Sequence, residues 1–360
     1  MKLADTVKTI VFDWGDTLMV DDPRQNTPMV DWPKVSAVPG SSETLAKLHG
    51  RYHLALATSA ELSTVEQIRA ALARVELNEF IDDVFTKNQL NGARKPEIGF
   101  YRGIAQKLNL QPDQLLMVGD HYRADILGAS AAGWFTAWYN PMQKTAPQLN
   151  PLFDLDLTSL TELSAALQQP LLPNLTQCLD WTLIEGTSAA LRSHVELVAC
   201  VAYTLAAWLR SAGQGVDPLL AHRGGILHDL CKMSAKGQGL NHGQAARAVL
   251  LDKGQPRLAE IARTHMLFNL IDPASSPHTW EEKLVYYADK LIEKNQILSV
   301  EQRLAGFRER YSMVPEMIDQ VSAAIRQLEQ EICAPLNMDA DELLRQMQES
   351  FFADLEPVRL

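Results

Sequence analysis

TIVFDWGDTLMV (residues 9–20) decides how the first half of the chain folds. Its opening apolar, β-branched run has the length of one strand and stops on an acid, Asp13. Working outward, three later runs share that form: HLALATS (53–59), QLLMVGD (114–120) and FTAWYN (135–140). The stretches between them are amphipathic at helical spacing: SSETLAKL (41–48), ELSTVEQIRAALARV (61–75), KPEIGFYRGIAQKL (95–108) and ADILGASAAGW (124–134). Strand and helix in alternation predict a Rossmann-like α/β layer, a parallel sheet with helices on both faces. Ligands bind such sheets at the carboxyl ends of the strands, where Asp13, Thr58 and Asp120 fall.

After TELSAALQQPLLPNLTQ (161–177) the pattern changes to helix throughout, so the fold class is α/β plus all-α. Helix starts are visible at Asp217-Pro218, Pro256, Thr279 and Pro315, each a cap residue or a first-turn proline ahead of a 3.6-residue period. A chain of 360 residues exceeds a single core, and the expected division is 1–167, a linker at 168–177, a helical domain at 178–300 and a helical extension at 301–360. The extension reads as packing or dimer surface, which makes a homodimer one expectation. LVACVAYTLAAWL (197–209) is too short to span a bilayer and reads as a buried helix.

The formal charge of −11 disfavours general nucleic-acid binding, which needs surplus Lys and Arg. Four scattered cysteines without a CxxC pair, and an N-terminus too soon acidic for a signal peptide, point to a cytoplasmic protein with reduced thiols and no membrane association. The expected partner is a small phosphorylated or nucleotide substrate.

Asp13, Thr58, Lys95 before a proline, and Asp120 with Asp125 in VGDHYRAD follow one another at strand ends or in the loops after them. Each type has a job in phosphoryl transfer: a carboxylate nucleophile, a hydroxyl and an ammonium on phosphate oxygens, and further carboxylates around hydrated Mg²⁺. Over residues 7–166 this order resembles the haloacid dehalogenase superfamily of aspartyl-phosphate phosphatases. The resemblance implies Asp13 as nucleophile, Thr58 and Lys95 as phosphate ligands, and Asp13, Asp120 and Asp125 as Mg²⁺ ligands. It also implies an acid two residues after the nucleophile. That position is Gly15, and Asp16 follows it. Either the domain is a working phosphatase, with Asp16 standing in for the missing acid or merely shaping the loop, or it serves activated phosphoryl or phosphonate groups whose leaving groups need no acid, or it is catalytically weak and kept for binding or structure. DWGDT is similar to the motif of the phosphonate-cleaving branch. The excursion VDDPRQNTPMVDWPK (20–34) is too short for a full cap domain.

In the helical half, His194, the adjacent pair His228-Asp229, His242, His265 and Asp289 combine imidazole with carboxylate, a donor set suited to Mn, Fe, Co, Ni or Zn. An acid beside a histidine within an apolar helix needs a partner, because a lone buried charge is costly. These residues resemble the HD superfamily of metal-dependent phosphohydrolases over residues 185–300. His194, His228, Asp229 and Asp289 match its defining order, and His242 and His265 match the added ligands of binuclear members. LHDLCK, NHGQAA, ARTHM and ADKLIEKNQ are most similar to the branch that cleaves diadenosine tetraphosphate symmetrically. The resemblance implies one or two transition metals, metal-activated water as the attacking group, Asp229 orienting that water, and Lys232 on a substrate phosphate.

The expectation for the whole is a two-domain phosphohydrolase. Its helical half would open a nucleotide anhydride or diester, and its first half would remove phosphate through a phospho-aspartate at Asp13. The alternatives are an HD-type di-iron oxygenase paired with a phosphonatase-like domain, and a nucleotide sensor whose first domain is inactive.

Overall fold

The computed structural model describes residues 2–236 and 238–353 and divides the chain into two compact units, 1–142 with 152–171 and 143–151 with 172–360. The first contains one parallel sheet of six strands: β1 (Thr9–Phe12), β2 (His53–Thr58), β3 (Asp83–Thr86), β4 (Leu115–Gly119), β5 (Phe135–Tyr139) and β6 (Leu155–Leu157). Their order is β3-β2-β1-β4-β5-β6, with Thr9 opposite both His53 and Leu115. The expected strands are the four central ones. The two missed strands, β3 and β6, are short and lie at the edges, where each has one pairing neighbour and no long apolar run is required.

Successive strand residues point to opposite faces, so β1 feeds two cores. Ile10 and Phe12 join Leu54, Leu56, Leu116 and Val118, with the helices Ser41–Leu48 and Val65–Ala73 covering that side. Val11 joins Ala55, Ala57, Leu115 and Met117 under the helix Ile98–Leu108. That helix starts later than expected. Pro96 does not open it: Glu97 is extended at the cap position, and the Lys95 peptide N–H is held by Ser59 Oγ at 2.9 Å, which keeps the preceding turn at the strand ends.

The second unit is helical apart from a hairpin of two-residue strands, Ile292–Glu293 with Gln296–Ile297. The expected starts hold their positions: Asp217 caps Pro218–Leu227, Pro256 opens Pro256–Thr264, Thr279 caps Trp280–Leu291 and Pro315 opens Pro315–Leu336. The stretch 197–209 lies inside the long helix Ala189–Ser211. Every residue of Pro218–Leu227 is buried, and its Gly225 meets that long helix so closely that a β-carbon would stand 2.4 Å from Ala199 Cα. Residues 143–151 were expected in the first domain but cluster with this unit. Within it, buried Arg223 donates to Pro151 O at 2.9 Å and to Pro173 O at 3.0 Å, satisfying two carbonyls that packing would otherwise strand. The helix Leu175–Ile184, capped by Asn174, begins inside the stretch expected as linker. Residues 354–360 of the expected extension lie outside the described residues. No helix among the described residues is long and apolar enough to cross a membrane.

Candidate active sites

The first site gathers at the carboxyl ends of β1, β2 and β4. Asp13 follows β1, its N–H donating to Val118 O at 2.9 Å. Lys95 Nζ reaches it across the strand ends, 2.6 Å from Asp13 Oδ1 and 2.7 Å from Asp125 Oδ1. Asp125 Oδ2 accepts the His121 N–H at 3.1 Å, in a turn that comes close to β4 only because Gly119 has no side chain: a β-carbon there would lie 2.3 Å from Asp125 Cγ. Thr17 Oγ1 donates to Asp120 Oδ1 at 3.2 Å. Thr58 ends β2, and its hydroxyl accepts the Ala60 N–H at 3.1 Å. Asp13, Thr58, Lys95, Asp120 and Asp125 line one cleft of about 480 Å³, one wall of which is the short 20–34 excursion.

Charge in this cleft is unbalanced. Asp13, Asp120 and Asp125 offer oxygens within 4.8 Å of one another, with Lys95 the ammonium among them. Burial opposes the Lys95 charge, but Asp125 and Asp13 outweigh it and hold the ammonium above the usual lysine range. Burial, and then the Asp13 charge, push the Asp120 carboxyl up. Three convergent carboxylates with one cation form a hard all-oxygen donor set that fits Mg²⁺. Asp16 also lines the cleft, in the left-handed region at φ 52°, and its Oδ1 accepts the Asp21 N–H at 2.9 Å. Asp21, His121 and Trp32 line the same cleft, and no pattern in the sequence singles them out.

The second site is built from helix ends. His228 and His265 are the residues at which Pro218–Leu227 and Pro256–Thr264 terminate, His242 opens His242–Asp252 behind its Asn241 cap, and His194 and Asp289 project from the long helices. All six expected ligands converge. His194 Nε2 lies 3.0 Å from Asp289 Oδ1, and Asp229 Oδ1 lies 3.1 Å from His242 Nε2 and 3.3 Å from His265 Nε2. His242 and His265 bring their Nε2 atoms within 3.2 Å of each other.

Two imidazoles are fixed from behind: His228 Nδ1 donates to Gly225 O at 2.8 Å and His265 Nδ1 to Ala262 O at 2.7 Å, so each points its Nε2 into the cluster. His228 Nε2 and Asp229 Oδ1 are buried and face only the other donors of the cluster, with Asp229 Oδ2 at 3.4 Å and Asp289 Oδ1 at 3.6 Å from His228 Nε2. Burial opposes a charge on His228, but Asp229 and Asp289 outweigh it and lift its pKa to about 9, so the carboxylates draw a cation to this nitrogen. Burial also opposes charge on the two acids, yet His228 beside Asp229 and Lys290 beside Asp289 hold both carboxyls well below the usual range. Convergent buried donors of this N/O chemistry fit a transition metal, and they fall into two overlapping sets that share His228.

Lys232 Nζ is 2.5 Å from Asp229 Oδ2. Sequence reading missed the other cations of this cleft, which has a volume of about 510 Å³: Lys290, Lys294, Arg303 and Arg310. Arg303 and Arg310 come from the helix Val300–Arg310, expected as packing or dimer surface, and Glu293 orients them at 2.8 and 3.4 Å. With Phe307 they share one face at i, i+4 and i+7, a signal that also describes any solvated amphipathic helix.

Residues 19–139 match the family model of the haloacid dehalogenase-like hydrolases, and residues 191–294 match that of the HD domain. The first match begins after Asp13 and Asp16. The chain is 30% identical over 131 residues to a ribulose-1,5-bisphosphate 5-phosphatase of Halopiger xanaduensis, covering 36% of this chain and 52% of that protein. It is 30% identical over 103 residues to a glyceraldehyde 3-phosphate phosphatase of Pyrococcus furiosus, covering 28% and 41%. The chain thus spans about half or less of the length of these relatives. A solved structure of an uncharacterized protein from Listeria monocytogenes serotype 4b overlays 45% of this chain and 97% of its own, at 22% identity and a TM-score of 0.41.

Proposed function

We propose that this chain, which joins an N-terminal haloacid dehalogenase-like hydrolase domain to a C-terminal HD domain, is a phosphohydrolase with two separate sites. The observation that carries the reading is the pairing of donor sets: a carboxylate cleft built around Asp13 and Lys95, and a cluster whose locked imidazoles face Asp229.

In the first domain, Asp13 attacks the phosphorus of a small phosphate ester, with Lys95 and Thr58 on the phosphate oxygens, and the resulting phospho-aspartate is hydrolysed. Asp13, Asp120 and Asp125 would hold Mg²⁺, which neutralises phosphate charge when bound. In the second domain, His194, His228, Asp229, His242, His265 and Asp289 would hold one or two transition metals, which activate water and neutralise oxygen charge when bound. The substrate there is a nucleotide phosphoanhydride of the diadenosine tetraphosphate type. Support comes from the five cations at the cleft, Lys232, Lys290, Lys294, Arg303 and Arg310, which suit a chain of several phosphates better than a single one.

The test is chromatographic analysis of products from diadenosine tetraphosphate and metal-loaded protein, as wild type, Asp13→Asn and Asp229→Ala. ADP formation lost only in Asp229→Ala supports the assignment of the second site. Hydrolysis that survives Asp229→Ala, or no hydrolysis by the wild type, overturns it.

A further inference from the structure

Displacing an alkoxide from phosphorus needs a proton for the departing oxygen, and most acids of the first cleft are already engaged. Asp13 and Asp125 hold Lys95, Asp120 accepts from Thr17, Asp22 accepts from Arg24, and Glu61 faces Lys87 and Arg94. Among the described residues Asp16 has no side-chain partner of this kind, and neither does Asp21. Its Oδ1 accepts the Asp22 N–H at 2.9 Å, and its Oδ2 lies 3.5 Å from where a β-carbon on Gly15 would stand. Gly15 is two residues beyond Asp13 and its φ is outside the left-handed region, so the position would accept a side chain. A side chain there would begin in contact with Asp21, whose Cβ, Cγ and Oδ2 stand 3.4 to 3.5 Å from that β-carbon position. Asp16 supports this placement, because its Oδ1 binds the Asp21 N–H and so fixes the loop.

We infer that Asp21 is the general acid/base of the first cleft, reaching back from the 20–34 loop to the place an acid at position 15 would hold, with Asp16 as its positioning residue. The inference rests on the phosphatase reading of that cleft. As Asp13 bonds to phosphorus and the P–O bond to the leaving group breaks, Asp21 gives its proton to the departing oxygen. The Asp21 carboxylate then takes a proton from the water whose oxygen attacks phosphorus, releasing inorganic phosphate and restoring the Asp13 carboxylate. Partial burial, and then the charges of Asp16 and Asp13, push the Asp21 carboxyl up, the direction a proton donor near neutral pH requires.

The experiment compares kcat/KM for phenyl phosphate and acetyl phosphate, a poor and a good leaving group, in full-length protein with Mg²⁺. Asp21→Asn keeps an acceptor for the Asp22 N–H but has no proton to give. It should lose about 10² to 10⁴ in kcat/KM on phenyl phosphate and at least tenfold less on acetyl phosphate. Asp21→Ala, which vacates the space beside Gly15, should show the same loss, and adding Gly15→Asp to it should restore at least tenfold of that loss on phenyl phosphate. Equal losses on both substrates, or none, would overturn the role of Asp21 while leaving the phosphatase reading intact, provided Asp13→Asn is inactive. Wild type that hydrolyses neither ester, or Asp13→Asn that matches wild type, would bring down the phosphatase reading and this inference with it.

Discussion

Lys95 is the residue on which the first cleft depends before any substrate arrives. Its side chain is 3% exposed and bridges two carboxylates, one of them Asp125 at 1% exposure. A methionine of similar length would leave Asp13 and Asp125 facing each other without a cation. Breaking a buried ion pair by removing one partner costs about 3 to 5 kcal/mol. Lys95→Met is therefore expected to lower the denaturant midpoint of the protein in Mg²⁺-free buffer, with part of the loss returned by Mg²⁺. An unchanged midpoint in Mg²⁺-free buffer would show that the carboxylates find another way to relieve their charge. Catalysis is a separate readout, since the same substitution removes a group from the phosphate.

At the level of elements, the second cluster owes its geometry to how closely two helices pack. Pro218–Leu227 delivers His228 beside His194 of Ala189–Ser211 because Gly225 lets the backbones touch. Gly225→Ala would drive a β-carbon into the Ala199 backbone, with no flexible side-chain end to yield. Overpacking of this kind costs about 1 to 3 kcal/mol or more. Gly215→Ala is the control, as nothing lies within 4 Å of its β-carbon position, and it should stay within about 0.5 kcal/mol of wild type. Thermal unfolding of both variants checks this, and equal stability of the two would mean that the helices separate at little cost. The two edge strands illustrate the opposite case, in which three or four residues join a sheet because its neighbours offer hydrogen bonds, with little pattern of their own.

Across the whole molecule, each unit has its own hydrophobic packing and its own donor set, so perturbing one set should leave the other's chemistry in place. A metal that binds only the folded state stabilises it by about 2.7 kcal/mol at a hundredfold excess over its dissociation constant. With Mg²⁺ in excess, a chelator selective for transition metals is expected to lower the unfolding temperature of wild type and of Asp13→Asn, but not of His228→Ala. A matching shift in His228→Ala would place the metal somewhere other than the histidine cluster. Metal analysis of the same samples gives the number of ions bound.

Strand and helix alternation, the proline and cap residues that open helices, and the identity of the metal-type donors belong to the sequence, because each depends on local backbone preference or on the chemistry of a single side chain. His228-Asp229 stands out in this way: a carboxylate inside an apolar run is too costly to bury unless a cation or a metal compensates its charge. Tertiary structure alone decided which groups meet across distant parts of the chain. Lys95 reaches Asp13 over 82 positions, Arg303 and Arg310 turn out of a polar helix to face the cluster, and Asp21 comes back over Gly15. These encounters depend on where loops and helix faces are carried by packing within each unit. No local propensity encodes that distance, so an acid or arginine at such a position looks the same in sequence whether it meets solvent or a site.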